Sequence, residues 1–345
     1  MKFRLLLLPF SLLYGIAVYL RNKFYDLGIS KENKFPVAVI SVGNITAGGT
    51  GKTPHIEYLG MLLSNDKKVA ILSRGYGRST SGFLYVSENS NAGLVGDEPL
   101  QLKSKFGGIV VAVCEKRKNG IEKILKDEPP TVVVLLDDAF QHRAVKPSLS
   151  ILLLDYSKIF KPDYLLPAGN LREPFSAKKR VDLIIVSKCP PNLSDEVRNE
   201  FIFKIAPDAR QKMFFSSIVY DKIQPVFNTT VELPQGNLSC LLITGIADAS
   251  GIKQHTELTA KLIRHLEFAD HHQFSNADIR NIIKIFSTIA GKNKIILTTE
   301  KDAMRLKQEE ELKHLPLYYL PVKVKFHPKD EQLFNQLILQ HVGKN

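Results

Sequence analysis

Six short apolar runs recur along the first half of the chain, each ending in polar or glycine residues: VAVISVGN (37–44), VAILSRGY (69–76), GIVVAVCE (108–115), TVVVLLDD (131–138), LSILLLD (149–155) and DLIIVSK (182–188). They are continuous rather than alternating, the pattern of strands covered on both faces in a parallel sheet. Between some of them lie segments with helical spacing. PHIEYLGMLLS starts with a proline in its first turn and sets Ile56, Leu59 and Leu63 on one stripe. Alternation of this kind predicts a doubly wound α/β domain, with functional residues at the carboxyl ends of its strands. The pattern weakens over DKIQPVFNTTVELPQGN, whose composition is that of a connection. A second α/β portion begins at LLITGIADASG. It continues through NADIRNIIKIFSTIA, where Ser275 and Asp278 form a capping-box pattern, then through KIILTTEKD, LYYLPVKV and the amphipathic DEQLFNQLILQHV.

The start differs from the rest. Between Arg4 and Arg21 no residue is charged, and Pro9, Ser11 and Gly15 interrupt an otherwise apolar stretch. It is short for a spanning helix, which takes about 20 apolar residues. A secretory signal would need a small-x-small cleavage site, and a glycine-rich loop follows too soon. A buried core helix is the plain alternative. The favoured expectation is a monotopic helix in a membrane face, with Arg21 and Lys23 among the anionic headgroups. The expected organisation is therefore a membrane-associated helix at 1–26, a P-loop NTPase-like domain at 27–220, a connection at 221–236 and a smaller α/β domain at 237–345.

Composition adds two constraints. The chain of 345 residues carries a formal charge of +12, which favours an anionic partner: nucleotide, phospholipid headgroup, phosphorylated substrate or nucleic acid. Nucleic acid is not the leading candidate, because no RNP-like or zinc-finger pattern and no tryptophan is present. Cys114, Cys189 and Cys240 are scattered in or beside apolar runs, which argues against a disulfide framework or a cysteine zinc site.

The chemistry starts at SVGNITAGGTGKTP (41–54). A strand runs into glycines and a helix follows, so Gly48, Gly49, Thr50 and Gly51 can converge backbone N–H groups on phosphate oxygens. Lys52 can reach the outer phosphates, and Thr53 can ligate magnesium. Thr46 stands where a strict P-loop has its first glycine. TVVVLLDDAFQHR has the form of a strand ending in magnesium-binding acids, with Asp138 the better ligand and Asp137 able to share it. No guanine-specific motif occurs, which leaves adenine preferred. SRGYGR, VGDEP, CEKR, LLPAGNLREP and ADHHQF are further polar clusters, each with another local reading: Asp97 as a helix cap, Arg74 and Arg78 as surface arginines, Arg172 with Glu173 as a solvated ion pair, and Asp270, His271 and His272 as half of a metal site, though adjacent histidines suit one metal poorly.

Taken in order, SVGNITAGGTGKTP, SRGYGR, GDEP, DDAFQHR, LLPAGNLREP, DHHQF and TTEKDA resemble the tetraacyldisaccharide 4'-kinase family. That family's loop also lacks the first Walker glycine. The resemblance implies transfer of the ATP γ-phosphate to the 4'-hydroxyl of a tetraacylated glucosamine disaccharide 1-phosphate, a lipid A precursor. It places the reaction at the cytoplasmic face of the bacterial inner membrane, with ATP and Mg2+ and no implied protein partner. Asp97 looks like the family's catalytic aspartate, with His271 favoured over His272 as its partner. Lys52 and the loop amides would hold phosphates, and Thr53, Asp138, Asp137 and Glu173 would organise magnesium. Arg117 and Arg172 would stabilise the transferring phosphoryl. Arg74 and Arg78, with Gln141, His142 and His272, would face the substrate. Ala139, Phe140 and Asn170 depart from residues frequent in the family without removing a charge. The competing reading is a P-loop nucleotide switch or metal-insertion chaperone, which would call for a guanine motif and a cargo-metal cluster. A non-enzymatic peripheral membrane protein would leave the phosphate and magnesium motifs unexplained.

Overall fold

The computed structural model describes residues 2–227 and 236–343. Its strands are β1 Ala38–Asn44, β2 Val69–Ser73, β3 Leu84–Tyr85, β4 Val110–Val113, β5 Val133–Asp137, β6 Leu149–Asp155, β7 Leu183–Ser187, β8 Lys212–Tyr220, β9 Gln224–Pro225, β10 Ser239–Thr244, β11 Lys261–Glu267, β12 Lys294–Thr299, β13 Leu317–Leu320 and β14 Val322–Phe326. The helices are α1 Leu8–Asp26, α2 Lys52–Ser64, α3 Ala92–Val95, α4 Asp97–Lys105, α5 Arg117–Asp127, α6 Asp195–Ile205, α7 Ser250–Thr259, α8 Asn276–Thr288, α9 Glu300–Leu306 and α10 Pro328–Gly343.

All six apolar runs become strands of one nine-stranded sheet in the order β14-β8-β7-β6-β1-β5-β2-β4-β3. It is parallel except at its edges, where β14 pairs antiparallel with β8 and β3 with β4. The runs are apolar throughout because both faces are covered. Ile40, Val42 and Leu135 pack toward Ile56, Leu59 and Leu63 of α2, and Val39, Val134 and Leu136 pack toward Ile121 and Ile124 of α5. β1 lies between β5 and β6, so the loop leaving its carboxyl end sits mid-sheet with Asp137 beside it. A second, five-stranded sheet has the order β11-β10-β12-β13-β9, and α8 begins with the full Ser275–Asp278 capping box.

The expected smaller domain at 237–345 requires a correction at its end. LYYLPVKV breaks at Pro321. Leu317–Leu320 stays in the small sheet, whereas Val322–Phe326 crosses back to pair with β8. Proline has no N–H for a ladder, so it suits a switch between sheets. α10 then returns to the large sheet, where Phe334 stacks on Phe326. The chain therefore passes between the sheets twice. The middle of the expected connection at 221–236, residues 228–235, lies outside the described residues, while Gln224–Pro225 has already joined the small sheet.

The N-terminal helix turns a narrow stripe inward. Ser11 donates to the Leu165 carbonyl (2.8 Å) and accepts from the Ala168 N–H (2.9 Å), and the Tyr14 hydroxyl donates to the Arg172 carbonyl (3.0 Å). Gly15 faces the same loop, where a Cβ would lie 2.9 Å from Leu165. The remaining surface, including Leu5, Leu6, Phe10, Leu12, Leu13, Ile16, Tyr19, Leu20 and Phe24, is exposed. A core helix would bury these side chains, so that alternative does not describe α1.

Candidate active site

The glycine-rich loop is shaped by its neighbours. Asn44, the last residue of β1, donates to Thr50 Oγ1 (2.8 Å), and Ser187 at the end of β7 donates to the Thr50 carbonyl (2.8 Å). His55 bonds the Gly51 carbonyl through Nδ1 (2.7 Å) and Ser216 Oγ through Nε2 (2.9 Å). Burial lowers its pKa to about 4, so it acts as a neutral strut. Gly48 (φ +103°) and Gly51 (φ +84°) occupy the left-handed region, and a Cβ on Gly48 or Gly49 would meet only open space. Room above converging amides at a helix start suits a phosphate. Thr46 is outside the left-handed region and forms an antiparallel bridge with Leu171, while the Ala47 N–H donates to Asn170 (2.6 Å). A side chain is tolerated there because the backbone is extended enough to bridge LLPAGNLREP and needs no left-handed φ.

Beside the cradle, Asp138 (φ +49°) lies 3.6 Å from Lys52 Nζ and accepts from Arg172 Nη1 (3.0 and 3.1 Å). Burial works against its charge, yet Lys52 and Arg172 outweigh it and hold its pKa below the ordinary value. Asp137 is fully buried. Oδ2 accepts from Ser73 (3.1 Å), and Oδ1 has no hydrogen-bond partner. Burial first, then the charges of Glu98 and Asp138, push its pKa up to about 7. An orphaned carboxylate oxygen beside a second carboxylate fits a hard divalent cation. Thr53 itself is buried in the first turn of α2.

Asp97, the residue the resemblance marks out, opens α4. Asp97 does not cap its helix: Gly96 is the N-cap residue, with φ +93°, and Asp97 is the first helical residue with no capping bond. A Cβ on Gly96 would lie 3.0 Å from the Tyr76 carbonyl, so the SRGYGR loop packs directly on this turn. The buried Asp97 carboxylate is 3.1 Å from His271 Nδ1 and 3.4 Å from Arg305 Nε, both carried by the small-sheet part of the chain. His271 is itself at φ +59°. His272 turns elsewhere, bonding Asp278 (3.0 Å) and stacking on Phe268, so only His271 faces Asp97. The His271 and His272 rings hold no metal geometry, and among the described residues no His/Cys/Asp/Glu cluster suits a cargo metal.

A comparison with known proteins adds a full-length match. The profile of "LpxK: Tetraacyldisaccharide-1-P 4'-kinase" matches residues 3–343. The chain belongs to the tetraacyldisaccharide 4'-kinase family. It is 43% identical to the tetraacyldisaccharide 4'-kinase of Bacteroides thetaiotaomicron, covering 98% of this chain and 93% of that protein. It is 42% identical to that of Flavobacterium johnsoniae, covering 99% and 98%. A crystal structure of LpxK from Aquifex aeolicus in complex with ATP superposes with a TM-score of 0.76 at 31% identity, covering 99% of both chains. The P-loop α/β fold expected from the sequence thus agrees with a solved member of the family.

Several residues expected at this site are engaged inside the fold. Glu173 is fully buried with both oxygens taken, by Arg21 (3.3 Å), Asn22 (2.9 Å) and Arg180 (2.9 Å). It fastens α1 to the body of the protein, and both its oxygens are already engaged. Arg117 donates to the carbonyls of Cys114 (2.5 Å) and Asp137 (3.2 Å), clamping the ends of β4 and β5. Burial lowers its pKa to about 10 despite the Asp137 and Asp138 charges, and a 2% exposed guanidinium is not aimed at a transferring group. Arg78, its side chain 2% exposed, is locked to Glu115 (2.5 Å), whereas Arg74 is exposed with no ion pair among the described residues. Gln141 donates to the Asn44 carbonyl (3.0 Å) and so supports β1, and His142 is kept neutral, its pKa lowered to about 4 by burial and by Arg117 and Arg74. Conversely, Asn44, Glu98, Lys301 and Arg305 were not singled out from the sequence. Lys301 lay inside the TTEKDA match, but Arg305 had no signal other than its one-turn spacing from it.

Proposed function

We propose that the chain phosphorylates the 4'-hydroxyl of a tetraacylated glucosamine disaccharide 1-phosphate, using ATP and Mg2+, at the cytoplasmic face of the inner membrane. The observation that carries this reading is the Asp97–His271 contact at 3.1 Å, placed where the Glu98 charge is already felt by Asp137 in the phosphate cradle. Loop amides and Lys52 hold the triphosphate. Thr53, Asp137 and Asp138 would hold magnesium, which supplies positive charge to the phosphate oxygens when bound. Asp97 takes the proton as the sugar O–H bond breaks. That oxygen forms a bond to the γ-phosphorus while the bond to the bridging oxygen of ADP breaks, and Arg172 offsets charge beside Lys52. His271 orients the Asp97 carboxylate and Arg305 keeps a positive charge against it. The acceptor reaches this cleft from the membrane on which the exposed face of α1 lies.

The test is incubation of the purified protein with ATP, Mg2+ and the tetraacyl disaccharide 1-phosphate in detergent, reading the bisphosphate product. Lys52→Ala should abolish turnover, and Asp97→Asn should lower kcat by roughly 10²- to 10⁴-fold with little change in the KM for ATP. Absence of lipid product, or full activity of Asp97→Asn, would sink the reading.

A further inference from the structure

Lys301, the second residue of α9, reaches the far side of the His271 ring: its Nζ lies 3.0 Å from His271 Nε2. Two carboxylates flank the same ammonium, Glu98 at 3.5 Å and Asp270 at 3.6 Å, and the side chain is largely enclosed. An ammonium group has three donors and no acceptor, whereas each nitrogen of a neutral imidazole is either donor or acceptor. The lysine therefore requires Nε2 to accept, and the ring proton must sit on Nδ1. That nitrogen is the one 3.1 Å from Asp97, where an N–H is the correct partner for a carboxylate oxygen.

We propose that Lys301 is a positioning residue that fixes His271 as the Nδ1–H tautomer, so that the imidazole donates to the proton-accepting Asp97 and does not compete with it. The proposal rests on the Asp97 reading above for its kinetic consequence, but not for its structural one. With Nε2 occupied, His271 has no lone pair facing Asp97. A proton taken from the sugar hydroxyl stays on the carboxylate through phosphoryl transfer. Without Lys301, the ring is free to present the bare Nδ1 to the carboxylate, where two lone pairs repel and the histidine turns away. Glu98 and Asp270 hold the ammonium in place. The site therefore draws Asp97 and Glu98 from α4, Asp270 and His271 from the loop after β11, and Lys301 from α9.

The direct test is the ¹⁵N spectrum of the full-length protein, labelled in histidine and held in detergent micelles, with the His271 signal identified by its loss in His271→Gln. The expected pattern is Nδ1–H in the parent and in Lys301→Arg, and its loss in Lys301→Met. An unchanged Nδ1–H pattern in Lys301→Met overturns the proposal. In the kinase assay, Lys301→Met should lower kcat on the order of ten- to a hundred-fold, the range for removing an orienting partner, with the KM for ATP nearly constant. Lys301→Arg should recover part of that loss. In a His271→Gln background, Lys301→Met should have no further effect, and an additive loss would mean that Lys301 acts other than through His271. If the protein makes no lipid product at all, the spectrum still decides the tautomer, so the two readings fail separately.

Discussion

Replacing Leu12 and Leu13 with glutamate separates membrane attachment from folding. These side chains are 68% and 63% exposed, on the face of α1 opposite Ser11 and Val18. Burying a whole leucine is worth about 1.5–3 kcal/mol, so the two-thirds of each available to a membrane contribute about 1–2 kcal/mol, or about 2–4 kcal/mol for the pair. At 1.4 kcal/mol per tenfold, the vesicle partition coefficient of Leu12→Glu/Leu13→Glu should fall roughly 30- to 700-fold, and more on anionic lipid, where the new carboxylates are repelled. Neither leucine is buried in the fold, so thermal stability should shift by no more than about 0.5 kcal/mol. Ser11→Ala should show the reverse signature. It loses the bonds to Leu165 and Ala168 and should destabilise the protein by about 1–3 kcal/mol, with membrane partition little changed. The measurements are co-sedimentation with phosphatidylethanolamine/phosphatidylglycerol vesicles and thermal melting of the same samples. Unchanged partition of the double variant, or a large loss of its melting temperature, would refute the assignment of this face to the membrane.

Glu173→Gln should lower stability by about 3–5 kcal/mol, because it leaves Arg21 and Arg180 against a buried neutral group, and it should expose α1 to limited proteolysis while the magnesium dependence of the rate is unchanged. A shifted magnesium requirement without loss of stability would instead support a ligand role. Glu57 is pushed up from its ordinary 4.5 to about 7, chiefly by burial, with Lys105 pulling it down and Glu300 pushing it up. A raised carboxyl value means that the folded protein holds a proton that the unfolded chain has released between about pH 4.5 and 7. Stability should therefore fall across that window by up to about 1.4 kcal/mol per pH unit and level off above it, and urea titrations of Glu57→Gln should show a flatter dependence. Gly43→Ala would place a Cβ 2.6 Å from Phe140 Cβ and 2.8 Å from its backbone nitrogen, and denaturant unfolding should register about 1–3 kcal/mol of destabilisation.

The strands that lead into the glycine-rich loop and the paired aspartates were legible because double coverage makes them uniformly apolar. Two longer strands, and the two-residue strands β3 and β9, were not. Lys212–Tyr220 has two serines at its centre, buried where they meet His55 and β14, and Lys261–Glu267 is a half-exposed edge strand that alternates with charged residues. The split of LYYLPVKV between two sheets was beyond local pattern, since Pro321 marks a break without saying where each half goes. At the site, residue type and motif order located the loop and the Asp97–His271 pair. They did not separate charges that face the cleft from charges used inside the fold. Arg78, Arg117 and Glu173 look in sequence like Arg74, Arg172 and Asp138, and only burial and partners distinguish them.

The position of Asp97, proposed above as the proton acceptor, is set by helix packing rather than by a loop. α4 begins at Asp97, held by His271 and Arg305, and ends at Lys105, which bonds Glu57 of α2 (2.6 Å) and Glu300 of α9 (2.8 Å). α2 starts at the glycine-rich loop and α9 carries Lys301 and Arg305, so this buried acid–lysine–acid triad ties α4 to the elements on both sides of the proposed site. On energetic grounds an apolar trio would fill the same space at lower desolvation cost. An apolar contact, however, tolerates sliding, whereas one ammonium shared by two carboxylates, with Gln101 also bonding Glu57 (2.7 Å), has few alternative geometries. Phosphoryl transfer depends on placing the hydroxyl, the base and the phosphorus within a few tenths of an ångström, so fixing α4 at both ends serves the reaction even where it does not favour stability.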